Sequence, residues 1–348
     1  MSEPFTVGLT CDFLAPDGTL TYRDIGLDLL RSDPAVAFRF MDRHPMLLAP
    51  GHLRGCDAVI SLGPRWTAES LRGVERLALV ARFGVGHDAV DLAACTRADV
   101  AVTIAAGAVN FSLAESIVAW MLALSHRVLE KDRLLREGRW GDKDRTMGCE
   151  LRDRTLGIVG LGGIGGALVA MLRPFGMKPP LACDPFTLPA RAVELGVSLV
   201  PLERLLREAD FVSINCPLND KTRNLVGRAE LALMKPDAFL INTARGGIVD
   251  EEALAEALRA GRIRGAAIDV FAVEPAGADH PLAKLGNVLL APHAIGWTDE
   301  LFRDIGRMAC SAALRVARGE VPEGVVNREV LERPGFVAKL ARLRKARS

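Results

Sequence analysis

Three ionisable residues each follow a short apolar run. Arg245 lies in Asn242-Thr-Ala-Arg-Gly-Gly-Ile-Val-Asp-Glu251, Glu274 in Asp269-Val-Phe-Ala-Val-Glu-Pro275, and His293 in Ala291-Pro-His-Ala-Ile-Gly-Trp-Thr298. In an open α/β sheet, ligands bind outside the carboxyl ends of the strands, where these residues would emerge. Arginine holds a carboxylate bidentately and keeps its charge. Histidine donates a proton near neutral pH, and a nearby carboxylate favours its charged form. The set suits hydride transfer to an α-keto acid. Read alone, each residue also has a plain structural role: a C-capping arginine, an exposed acid, a structural histidine. Spacing does not establish that the three meet.

A second stretch supplies the cofactor half. Thr155-Leu-Gly-Ile-Val-Gly160-Leu-Gly162-Gly-Ile-Gly165 reads as strand, tight turn and helix, the context that a G-x-G-x-x-G requires. Gly160 permits the turn, Gly162 lets backbone approach a pyrophosphate, and Gly165 lets the helix sit close on the strand. Asp184 follows nineteen residues after Gly165, near the ~20-residue offset of an acid that binds the adenine ribose hydroxyls. A carboxylate there repels a 2′-phosphate, so NAD is expected over NADP; a turn aspartate before Pro185 is the structural alternative.

The positioning elements are those of an α/β chain. Expected strands are Thr6–Thr10, Ala35–Phe40, Cys56–Leu62, Arg76–Arg82 and Val100–Ile104, then Leu156–Val159, Pro180–Cys183, Ser198–Val200, Phe211–Ile214, Ala238–Asn242, Gly265–Asp269 and Val288–Leu290. Helices are expected over Asp24–Leu30, from Thr67, over Phe111–Arg127, Leu129–Glu137, Pro201–Glu208, Ala229–Leu233, Glu251–Arg259 and Asp299–Arg318. Ser70 is expected to contribute nothing to the core. Phe111–Arg127 is apolar almost all round, so it should be buried or cover a partner surface. A basic helical tail follows Pro334, with Lys339, Arg342, Arg344, Lys345 and Arg347 on an expected solvated face.

The 348 residues leave room for two domains. A net charge of +1 suggests neither a nucleic-acid nor a membrane partner. Met1-Ser-Glu-Pro-Phe lacks a basic n-region and an apolar h-region, so no signal peptide is expected. Seven scattered cysteines without C-x-x-C point to reduced cytosolic thiols rather than disulfides or a metal site.

These runs resemble the D-isomer-specific 2-hydroxy acid dehydrogenase family from about Asp57 to about Val326. The resemblance rests on Arg82-Phe-Gly-Val-Gly-His-Asp-Ala-Val-Asp91, Asn110-Phe-Ser-Leu-Ala-Glu115, the glycine loop, Cys216-Pro-Leu-Asn-Asp-Lys-Thr222, the Asn242 run, Asp269–Pro275 and Pro292-His293. It implies two Rossmann-like parallel-sheet domains. A discontinuous flavodoxin-like substrate domain (1–106 plus 297–330) would carry an inserted NAD-binding Rossmann domain (107–296), with 331–348 as the tail. It implies reversible hydride transfer between NAD(H) and C2 of a small D-2-hydroxy acid or 2-keto acid, of glyoxylate, hydroxypyruvate or phosphoglycerate type.

The resemblance also implies roles. Arg245 would bind the substrate carboxylate and carbonyl, His293 would be the acid/base and Glu274 its partner. Gly84, Val85 and Gly86 would present amides to the carboxylate. Gly160, Gly162, Gly163, Ile164 and Gly165 would hold the pyrophosphate and Asp184 the ribose. Pro217, Thr222 and Thr243 would also line the cofactor site, and Asp269 would hold the carboxamide. A homodimer through the 111–140 helical region is implied, as is closure over hinges near Ile104–Ala108 and Ala294–Trp297.

The chain departs from the family pattern at Ser116, where histidine is frequent, at His87, where an aromatic is common, and at Trp297. Trp297 would line the substrate pocket or pack under the hinge; Arg65 would meet a second anionic group or remain a solvated loop residue. Glu274 argues against a formate dehydrogenase, which has glutamine there. A phosphite dehydrogenase and an NAD-sensing corepressor keep the same three residues and stand as alternatives.

Overall fold

The computed structural model describes residues 4–43 and 46–347. Met1 to Glu3 of the stretch considered for a signal, and the Arg347 side chain, lie outside the described part. The strands are β1 (Phe5–Leu9), β2 (Val36–Phe40), β3 (Ala58–Ser61), β4 (Leu79–Arg82), β5 (Ala101–Ile104), β6 (Leu156–Val159), β7 (Leu181–Cys183), β8 (Ser198–Leu199), β9 (Phe211–Ile214), β10 (Phe239–Asn242), β11 (Gly265–Ile268) and β12 (Val288–Leu290). The α-helices are α1 (Leu27–Arg31), α2 (Leu92–Arg97), α3 (Asn110–Ser125), α4 (Val128–Arg136), α5 (Gly163–Leu172), α6 (Pro189–Leu195), α7 (Leu202–Glu208), α8 (Arg228–Leu233), α9 (Glu251–Arg259), α10 (Asp299–Ala317) and α11 (Pro334–Arg347). None of the described helices is long and apolar enough to cross a membrane.

The chain forms two compact units, Met1–Val109 with Trp297–Ser348, and Asn110–Gly296. The first holds a five-stranded parallel sheet in the order β2-β1-β3-β4-β5, the doubly wound arrangement with its switch point between β1 and β3. β3 is buried along its whole length, as a parallel strand covered on both faces should be. The edge strand β5 is closed by the 324–327 segment, whose backbone bridges it at Thr103 and Val325 and whose Asn327 side chain continues the pairing. Buried Asn327 accepts from the Val102 amide at 2.8 Å and donates to the Val100 carbonyl at 2.9 Å, taking bonds that another strand would otherwise make.

Two local expectations fail in this unit. From Thr67 the chain makes turns rather than a helix. The reciprocal cap does form, with the Ser70 amide donating to Thr67 Oγ1 at 3.4 Å and the Thr67 amide to Ser70 Oγ at 3.1 Å. Gly73, at φ +67°, then ends the turn before a helix can propagate. Ser70 is fully buried, because these local bonds satisfy its hydroxyl. The unanticipated helix α2 is capped by Asp91, which accepts from the Ala94 amide at 2.8 Å.

The tail is helical but does not present a simply solvated face. Phe336, Leu340 and Leu343 are buried, and Lys339 Nζ donates to the carbonyls of Leu77, Ala98 and Asp99 at 2.7, 2.9 and 3.0 Å. Those carbonyls flank β4 and β5, so α11 is bolted onto the first unit. Its basic residues had concealed an apolar face at the i, i+4, i+7 spacing of Phe336, Leu340 and Leu343.

The second unit holds a seven-stranded parallel sheet ordered β12-β11-β10-β9-β6-β7-β8. Six of these strands follow the dinucleotide-binding order, and β12 extends it beyond β11. Helix α3 buries Ala114, Ile117, Trp120, Met121 and Leu124 in a core shared with α5 and β6. The following helix α4 buries none of its residues.

Lys339→Met is expected to destabilise the protein by about 2 kcal/mol, because three inward carbonyls lose their donor. Urea unfolding should show a lower midpoint at unchanged slope.

Candidate active site

β11 ends at Ile268, and the next residue, Asp269, turns its carboxylate back into the sheet end at only 3% exposure. Asp269 Oδ1 accepts from the amides of Ala294 and Ile295 at 2.8 and 3.1 Å, and its carbonyl accepts from the His293 amide at 2.7 Å. The loop after β12 is thereby clamped on both sides of His293. The backbone there is left-handed, φ +55°, a conformation costing a non-glycine residue about 1–3 kcal/mol unless its surroundings impose it. Burial pushes the Asp269 carboxyl up, the Ala294 and Ile295 amides and His293 oppose that, and Glu274 adds to it.

The clamp presents His293 Nδ1 to Glu274 Oε2 at 2.9 Å, while Glu274 Oε1 accepts from the Phe271 amide at 3.0 Å. Both side chains are substantially exposed, so their pairing adds little to stability. The arrangement can orient an imidazole by one nitrogen and leave Nε2 for proton exchange. Behind it, Ser112 Oγ donates to the Gly296 carbonyl at 2.5 Å and Ser116 Oγ to the Ile295 carbonyl at 2.9 Å. Ser116, one of the departures from the family pattern, thus braces the strand-end loop from α3.

Arg245 follows β10. Asn242 shapes its loop, accepting from the Ala244 amide at 3.1 Å and donating to the Arg245 carbonyl at 3.0 Å, and Arg245 itself donates to the Ala244 carbonyl at 2.7 Å. Gly246 packs its backbone directly on Phe271 and Ala272, where a Cβ has no room. The loops bearing Arg245 and Glu274 are therefore in contact, and Glu274 in turn meets His293. Neither Asn242 nor Gly246 announces this in the sequence beyond a turn-forming residue type.

The glycine loop has the backbone geometry that a dinucleotide-binding turn requires. Gly160 has φ +96°, and a Cβ there would lie 2.8 Å from the Cys216 amide nitrogen. A Cβ on Gly165 would lie 2.9 Å from the Gly160 carbonyl, so helix and strand approach closely. Gly162 and Gly163 are exposed, Ile164 is half-buried, and Gly162 has open space where a Cβ would stand. Helix α5 starts without a side-chain cap, leaving its first amides and dipole for an anion.

Asp184 ties this loop to β7. Its Oδ2 accepts from the Leu161 amide at 2.8 Å and its Oδ1 from Phe186 and Thr187 at 2.8 and 3.2 Å. The carboxylate thus shapes its own turn as well as facing the loop. Thr222 Oγ1 donates to the Pro217 carbonyl at 2.6 Å, closing the Cys216–Thr222 loop, and Thr243 is buried at the end of β10. Cys183 and Cys216 are free thiols flanking the loop, and burial pushes the Cys216 thiol up to about 11.

The remaining candidates lie in the first unit. Gly84, at φ +138°, follows β4, and the amides of Val85 and Gly86 make no hydrogen bond among the described residues. The His87 ring lies over the Val85 carbonyl at 3.4 Å. Arg65 is exposed, its backbone bonded to Met46 and Leu48. Trp297, 52% exposed, packs edge-on against Tyr22 and Phe302 at ring separations of 5.8 and 5.1 Å.

Comparison with known proteins places this geometry. Residues 118–294 match the model for the D-isomer specific 2-hydroxyacid dehydrogenase NAD binding domain. A glyoxylate reductase of Korarchaeum cryptofilum is 40% identical over 82% of this chain and 87% of its own. A D-3-phosphoglycerate dehydrogenase of Methanocaldococcus jannaschii is 39% identical over 77% of this chain, which spans about half (51%) of that relative. The crystal structure of the TT0316 protein from Thermus thermophilus superposes with a TM-score of 0.80 at 32% identity, covering 92% of this chain and all (100%) of that one. With a matching family model over half its length, close relatives over most of it and the dinucleotide fold that they require, the chain belongs to the D-isomer-specific 2-hydroxyacid dehydrogenase family and contains its NAD-binding domain.

Proposed function

We propose that the protein is an NAD-dependent reductase of small 2-keto acids, of glyoxylate or hydroxypyruvate type, working reversibly on the D-2-hydroxy acids. The observation that carries this reading is the 2.9 Å pairing of Glu274 Oε2 with His293 Nδ1 on a chain of this family. NADH, when bound along the glycine loop, supplies the hydride. Arg245 binds the substrate carboxylate and carbonyl oxygen. His293 gives its Nε2 proton to that oxygen, and Glu274 stabilises the imidazolium beforehand.

His293→Ala should lower kcat with glyoxylate or hydroxypyruvate by about a hundredfold or more. Reduction of NAD by phosphite in place of keto-acid turnover would favour a phosphite dehydrogenase, and partner capture without any turnover a corepressor.

Asp184 carries the cofactor preference in this reading. A carboxylate accepting three backbone amides has a lone pair left for a ribose hydroxyl and repels a 2′-phosphate. Asp184→Asn should raise the NADPH-to-NADH ratio of kcat/KM about tenfold, measured with one keto acid.

A homodimer is also part of the proposal. Leu135 and Trp140 are 63% and 67% exposed, and Phe111, Leu129 and Met147 are exposed with them. A helix such as α4 that buries none of its own residues gains little from folding unless another surface covers it. Sedimentation should give twice the 37.4 kDa chain mass, and Leu135→Glu with Trp140→Glu should give the single chain.

A further inference from the structure

The loop carrying Glu274 has almost nothing apolar to hold it. Residues 272–279 are all exposed. Its fixed points are polar and lie on one side. Two successive amides diverge: Phe271 donates to Glu274 Oε1 at 3.0 Å, and Ala272 donates to Glu251 Oε1 at 2.6 Å. Glu251 stands in the first turn of α9, which Asp250 caps by accepting from the Ala253 amide at 3.0 Å; the helix start favours a carboxylate there.

The other oxygen of Glu251 is also used. His280 Nε2 lies 3.0 Å from Glu251 Oε2, and His280 Nδ1 accepts from the Leu282 amide at 3.3 Å. An accepting Nδ1 carries no proton, so Nε2 is the donor, and both ring nitrogens are committed. The His280 ring also meets Phe271 edge-on at 5.1 Å. This pair is mostly buried, with side chains 18% and 15% exposed against 47% and 38% for His293 and Glu274.

We infer that Glu251 and His280 are positioning residues for the reaction, a second imidazole–carboxylate pair that holds the Phe271–Glu274 turn so that Glu274 meets His293. The inference rests on the reading of Glu274 and His293 as the acid/base pair. Glu251 acts through the Ala272 amide, and His280 acts through Glu251. Because Gly246 packs on the same Phe271–Ala272 backbone, the pair also fixes the Arg245 loop against the Glu274 loop.

The test compares Glu251→Ala and Glu251→Gln, alone and with Glu274→Gln. In Glu251→Ala, hydrogen exchange at the Phe271 and Ala272 amides should speed by about tenfold or more while the β10 amides stay as in the wild type. In turnover with hydroxypyruvate, kcat should fall about tenfold with the KM for NADH within about twofold.

Glu251→Gln keeps an oxygen for the Ala272 amide and should restore most of the rate. In the Glu274→Gln background, Glu251→Ala should cost little more. An equal loss in both backgrounds, or wild-type exchange at the Phe271 and Ala272 amides with wild-type kcat in Glu251→Ala, would overturn the inference. If the wild type turned over no keto acid, the reaction assignment would fall, and the exchange rates alone would decide whether Glu251 holds the turn.

Discussion

The site depends on one buried carboxylate. Asp269 receives two amides beyond His293, while its main chain receives the amide of His293 itself. Without those three bonds, nothing local would keep a histidine in left-handed backbone, because the conformation opposes its Cβ. The strain is met by a rigid strand end, since β11 is buried along its whole length and paired on both sides. Asp269 was legible as a candidate for the carboxamide of the cofactor. Its work as the clamp of the histidine loop was not, since that requires the ends of β11 and β12 to lie side by side.

The two side chains proposed to react are exposed, and the groups that aim them are buried or committed. His293 and Glu274 gain little from burial, whereas Asp269, Asn242, Ser112 and Ser116 are buried and fully engaged with backbone. This division suits the proposed proton transfer, which needs an accessible imidazole whose loop is set by bonds that no solvent competes for. The glycines divide the labour on the cofactor side. Gly160 and Gly165 allow backbone to touch backbone, and Gly162 keeps space clear in front of α5.

Much of this was readable because parallel strands are apolar runs of fixed length. The ends of β6, β9 and β12 fall where the runs end, as do those of α9. Asp184 was singled out by its spacing from Gly165 and its place at a strand end, and it does bond the glycine loop at Leu161. The failures are of two kinds: a local turn that stops a helix, and polar groups whose partners are distant in sequence. Thr67 and Ser70 form a helix-type cap without a helix, because Gly73 intervenes. Lys339 looks like a surface cation until the carbonyls at the ends of β4 and β5 are brought to it. Glu251 reads as an ordinary first-turn acid of α9, and only the fold shows it bonded to the turn before Glu274.

Transfer of hydride to C2 of a keto acid is the central claim, and isotope transfer tests it most directly. Hydroxypyruvate should be reduced with NADH deuterated at the transferring position of C4 and the product resolved by chirality and mass. The expected product carries one deuterium at C2 of the D-hydroxy acid, and forms more slowly by about a hundredfold or more when His293 is replaced by alanine. Deuterium absent from C2, or an equal mixture of the two enantiomers, would contradict it.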